Sequence, residues 1–131
     1  MASPIMSGSK FRGFTLIELL VVMSIIGLLL SIAVPRYFKT VQRSKETVLR
    51  HDLATVRESI DKYYADVGQY PDALPILVEK HYIRSVPQDP FTKTAGSWIL
   101  VASEDPDHPG VVDLHSGSPE LASDGTPFVS W

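Results

Sequence analysis

Apolar and polar positions follow two regimes along this chain. From Phe14 to Val34 nearly every residue is apolar, and Leu19 to Val34 holds no ionisable group. These 21 residues, at about 1.5 Å of rise each, span roughly 30 Å, the thickness of a hydrocarbon core. The pattern predicts a transmembrane helix over 14–35. Downstream, apolar residues recur at Leu49, Leu53, Val56, Ile60, Tyr63 and Val67. Gaps of four, three, four, three and four make one stripe of an amphipathic helix. The helix is expected to continue through 36–67 and to stop at Gly68, which tolerates the left-handed cap. Arg50, Arg57, Asp61 and Lys62 are read as its opposite, solvated face. Pro35 removes a backbone donor, so it is the expected kink and a candidate hinge.

Past Gly68 the pattern shortens. Asp66 to Pro75 and Val86 to Pro90 read as turns, with a short helix over Ala73–His81 between them. Ser97–Val101 and Val111–His115 read as strands joined by a hairpin loop, Glu104–Gly110. Gly117 to Trp131 carries little pattern, and Phe128–Trp131 is expected to dock as a short edge segment. Trp98 and Trp131 are expected in the core or docked on it. The predicted class is α+β: a long N-terminal helix packed on a small antiparallel sheet with an irregular C-terminal loop, the head being 68–131.

Charge divides the chain in the same places. Arg36, Lys39, Arg43, Lys45 and Arg50 form a basic stem with Glu46 alone among them, whereas from Gly68 onward nine acids face three bases. The stem reads as a solvated face beside phospholipid phosphates, with Glu46 and Asp52 available to bases of neighbouring copies. The net charge of −3 gives no general basic character for nucleic acid. There is no cysteine, which removes a disulfide framework, a thiol nucleophile and a lipid-modified cysteine. A cleaved secretory signal is disfavoured. Lys10 and Arg12 supply a basic start, but the apolar run is too long and no small-residue cleavage pattern follows it. No nucleophile elbow, histidine pair, Walker motif or dinucleotide motif is present, so an enzyme is not expected.

Gly13-Phe14-Thr15-Leu16-Ile17-Glu18, after a short basic leader and before the apolar helix, resembles the precursor motif of the type IV pilin-like superfamily. The block Lys62–Phe91 narrows the resemblance. Asp66, Gly68, Tyr70 and Pro71, then Pro87, Asp89 and Pro90, look like the major (G-type) pseudopilin of type II secretion systems. Phe91-Thr92-Lys93-Thr94 departs from the Trp-Gly-Asn-Pro common there. The resemblance implies a leader over 1–13, cut between Gly13 and Phe14 by a prepilin peptidase that also methylates the Phe14 nitrogen. It implies a single-pass protein of the bacterial inner membrane with a periplasmic head. The count of basic residues alone would place that head in the cytoplasm.

Glu18 is the one acid in the apolar helix. A charge at the centre of a membrane helix costs about 2.5–3.5 kcal/mol on insertion scales, so a partner gained on assembly would favour a polymer. The implied partner is the ammonium that cleavage creates on Phe14 of a neighbouring copy. A headgroup-facing carboxylate with no such role is the plain alternative. The resemblance further implies calcium in the C-terminal loop. Within Asp113–Gly125 the candidate oxygens are Leu114 (carbonyl), Ser116, Ser118 and Asp124, against the alternative of serines capping turns. Glu104, Asp105, Asp107 and His108 read as a solvated hairpin tip.

The expected function is a structural subunit of a periplasmic pseudopilus. Its partners would be copies of itself, other pseudopilins, the peptidase, and an inner-membrane assembly platform with its ATPase. A type IV pilin or minor pilin is the alternative. A monomeric membrane-anchored calcium-binding domain is the third.

Overall fold

Helix formation starts where Thr15 supplies a cap. In the computed structural model, which describes residues 1–4, 8 and 12–131, the Thr15 hydroxyl accepts the Glu18 amide at 3.1 Å. Helix α1 then runs Leu16–Val67 over 52 residues with Pro35 inside it. Lys10, part of the expected basic leader, lies outside the described residues. The chain divides into two units, Met1–Phe38 and Lys39–Trp131, and α1 runs through the division.

The first unit has the surface of a helix that needs an apolar environment. Its segment is long and apolar enough to cross a membrane by length and composition, and none of it is buried. The two serines in the run satisfy themselves locally. Ser24 donates to the Leu20 carbonyl at 2.7 Å and Ser31 to the Leu28 carbonyl at 2.6 Å. Neither serine of the apolar run therefore asks for water.

The second unit has a core of its own. Leu49, Leu53, Val56 and Ile60, four of the six stripe residues read from the sequence, are buried against Leu74, Leu77, Leu114, Val111, Trp98 and Phe128. Tyr63 packs partly against this core, while Val67 is exposed, so the stripe ends one position early. The helix stops as expected: Gly68 adopts φ +79° and its amide returns to the Tyr64 carbonyl at 2.8 Å. Helix α2, Leu74–Glu79, has a proline in its first turn, where the missing N–H costs nothing.

Strands β1, Ile99–Ala102, and β2, Val111–His115, pair antiparallel as Ile99 with His115, Leu100 with Leu114 and Val101 with Asp113. The register then slips, pairing Ala102 with Val111. This leaves Val112 as the extra residue of a bulge. β1 begins two residues later than the sequence pattern suggested. Trp98 is instead turned inward, its indole donating to the Pro87 carbonyl at 2.9 Å.

The C-terminal segment is not an edge strand. Phe128–Ser130 forms a turn of 3-10 helix, because Phe128 buries its ring fully and stacks on Phe91 with centroids 4.1 Å apart.

Candidate functional site

Two places carry the residues singled out from the sequence. The first is the start of α1. Arg12, Gly13, Phe14 and Glu18 line one concave surface there. Phe14 and Glu18 are exposed. Glu18 lies in the first helical turn, so its carboxylate sits at the positive end of the helix dipole. Thr15 and Glu18 have the Thr-x-x-Glu spacing of a capping box, and the Thr15 half of that box is formed. Thr15 was missed in the sequence reading; the spacing was its signal. Gly13, with no Cβ, sits in open space. Pro35 lies within the helix, leaving the Ser31 carbonyl without the amide that would otherwise reach it.

The second place is the face of α1 turned toward the C-terminal loop. Glu46, Arg50 and Arg57 fall within about 40° of one another at 100° per residue. Arg57 is not on a solvated face as expected. Its Nε donates to Asp113 Oδ1 at 2.6 Å, and its Nη2 donates to the Leu114 carbonyl and to the main-chain oxygen of Trp131, each at 2.9 Å. The Arg50 guanidinium lies 4.2 Å from the Trp131 ring centre. Glu46 Oε1 accepts both the amide and the hydroxyl of Ser123, each at 2.7 Å. Glu46 Oε1 is thus committed to Ser123 of its own chain.

The motif residues of the head form a fastening network. Tyr82 donates to Asp66 Oδ2 at 2.8 Å, and this hydrogen bond raises the phenol's pKa above its ordinary value. Tyr70 stacks on Tyr64 with centroids 4.4 Å apart. The Pro71 carbonyl accepts the Val111 amide at 2.8 Å, tying the turn to β2. Asp89 is wholly buried. Its Oδ1 accepts the Phe91 amide at 2.8 Å, and its Oδ2 accepts the Ser116 hydroxyl. Gly117 passes so close to β1's approach that a Cβ would stand 2.0 Å from the Ser97 carbonyl oxygen.

The oxygens proposed for calcium are engaged elsewhere. The Leu114 carbonyl accepts Arg57. Ser116 donates to Asp89 and accepts the Ser118 amide, while Ser118 accepts the Glu120 amide. Asp124 is exposed and accepts the amide and hydroxyl of Thr126 at 2.9 and 2.6 Å. Those hydrogen bonds hold its carboxyl below the ordinary range. Calcium requires six to eight converging oxygens. A donor set with one member on a guanidinium, two buried in turns and one capping a surface turn does not fit it. Among the described residues no buried side-chain oxygen or nitrogen lacks a partner. Nor do His, Asp or Glu side chains there gather in a group of three or more suited to a metal ion. At the hairpin tip Asp105 pairs with His108 at 2.9 Å, and this contact, first among its causes, lowers the Asp105 pKa.

Comparison with known proteins bears on the start of α1 and on the chain as a whole. Residues 8–34 match the family model of the prokaryotic N-terminal methylation motif. The chain is 34% identical to the type II secretion system core protein G of Klebsiella pneumoniae, over 88% of this chain and 87% of the relative. It is 31% identical to the protein of the same name from Escherichia coli K12, over 85% and 83%. The type IV major pilin protein PilA of Myxococcus xanthus is 38% identical over 47% of this chain and 28% of its own length. No solved structure matches significantly.

Proposed function

We propose, since this chain belongs to the type II secretion system core protein G family, that it is a structural subunit which polymerises into a pseudopilus. The observation that carries the proposal is the first half of α1, an apolar surface with none of its span buried. Such a surface needs lipid or other copies around it. Lipid would hold the precursor as a single-pass inner-membrane protein, and packed copies would form the filament core. The head, with its own core, would then be the filament's periplasmic surface.

In this reading a prepilin peptidase cuts between Gly13 and Phe14 and methylates the new Phe14 nitrogen. The resulting cation meets Glu18 of an adjacent copy, and Pro35 lets the helix adjust as copies pack. Other pseudopilins, an assembly platform and its ATPase act on the chain from outside. The chain supplies contacts, not catalysis. The matched methylation motif supports the processing step.

The test is expression of the full chain with a prepilin peptidase and a secretion apparatus, followed by shearing and mass spectrometry. Fibres built of a chain that starts at methylated Phe14 are expected. An uncut chain that stays monomeric in membranes would overturn the proposal. A type IV pilin is the second reading, favoured by the Myxococcus xanthus match. Deleting the gene would then abolish surface fibres and leave secretion intact.

A further inference from the structure

We propose that the C-terminal loop of this head is fastened by arginines of its own helix in place of a bound divalent cation. Arg57 gathers three oxygens from separate points of the loop region: the Asp113 carboxylate, the Leu114 carbonyl and the main-chain oxygen of Trp131. His115 places a ring nitrogen on that same Trp131 oxygen. A guanidinium carries five donors in a fixed fork and stays charged at every physiological pH. It therefore does for these oxygens what a calcium ion would do, neutralising a carboxylate and bridging main-chain oxygens that are far apart in sequence.

Arg50 sits two helical turns earlier on the same face and covers the Trp131 ring. The indole in turn donates to the Thr126 hydroxyl at 2.8 Å, and Thr126 donates to Asp124. Glu46 closes the far end at Ser123. Three side chains of one helix face thus hold the loop at Asp113–Leu114, Ser123 and Trp131. A cation entering at the Leu114 carbonyl would meet the positive Arg57 within hydrogen-bond distance of its first ligand. The head is accordingly calcium-independent, and its loop is ordered by a charge that cannot dissociate.

Thermal unfolding of the full chain in detergent micelles tests this, with and without about 1 mM calcium, a level that would occupy a site of extracellular affinity. The wild-type Tm should move by less than about 1 °C between calcium and a chelator. Arg57→Gln should lower it by roughly 5–10 °C. Arg57→Lys should recover only part of that loss, because an ammonium cannot serve three divergent acceptors as a planar fork does. Should Arg57→Gln fail to fold, Asp113→Asn keeps the arginine, removes the paired charge, and should give a smaller loss that calcium does not restore. A wild-type head stabilised by calcium overturns the proposal. So does an Arg57→Gln or Asp113→Asn head as stable as the wild type.

Discussion

The hydroxyl of Thr15 holds the backbone amide of Glu18 at 3.1 Å, so the backbone of Glu18 serves the helix start while its carboxylate is left for another partner. The two roles separate by mutation. Glu18→Gln and Glu18→Ala keep the amide and the cap but remove the charge. Membrane insertion should persist, and the sheared fibre fraction should fall by more than about tenfold, given the cost of an unpaired charge in lipid. Thr15→Ala loses a cap worth about 1 kcal/mol and should leave fibres close to normal. A Glu18→Ala chain with an undiminished fibre yield would contradict the charge role.

Asp89 joins the Pro-x-Asp-Pro turn to the C-terminal loop through Ser116. Asp89→Ala would strand three donors, the Phe91 and Thr92 amides and the Ser116 hydroxyl, each costing about 1–3 kcal/mol if left unpaired. Ser116→Ala leaves two groups unpaired, Asp89 Oδ2 and the Ser118 amide, and should cost about 2 kcal/mol. Denaturant titration of the full chain should rank Asp89→Ala well below Ser116→Ala. The reverse order would refute this account of the motif.

The core makes a plain prediction. Leu53→Ala should cost about 2–5 kcal/mol and Phe128→Ala about 3–5 kcal/mol. Val129→Ala, beside Phe128 but exposed, should stay within about 0.5 kcal/mol. Equal losses at Phe128 and Val129 would mean that the 3-10 turn does not deliver Phe128 into the core.

Asp52 is held above its ordinary pKa of 3.8, chiefly by desolvation and further by Asp89, with His51 opposing. The folded state therefore binds this proton more readily than the unfolded chain. The stability gained from that proton is present below the ordinary carboxylate range and is lost as pH rises through the raised value. Asp52→Asn should raise the Tm slightly at neutral pH, and the gain should vanish once the pH falls below about 4. A lower Tm for Asp52→Asn at neutral pH would reverse the sign and reject the desolvation argument.

Periodicity made the elements legible. A period of 3.5 residues placed Leu49 to Ile60 in the core, and Gly68 marked the helix end, because both signals are local. The short helix, both strands and the hairpin tip followed from turn residues in the same way. What stayed hidden depended on contacts far apart in sequence. Arg57 looked solvated on a helical wheel because its partners lie 56 to 74 residues away. Phe128 looked like a strand residue until Phe91 supplied the ring it stacks on. The engagement of Ser116 and Ser118 with Asp89 and the turn amides has no signature in spacing.

The most direct measurement is a fibre reconstruction at a resolution that places the Phe14 nitrogen and the Glu18 carboxylate of adjacent copies. The account predicts the two within about 4 Å, the reach of an ion pair. A separation beyond about 8 Å, where salt screens exposed charges from one another, would contradict it.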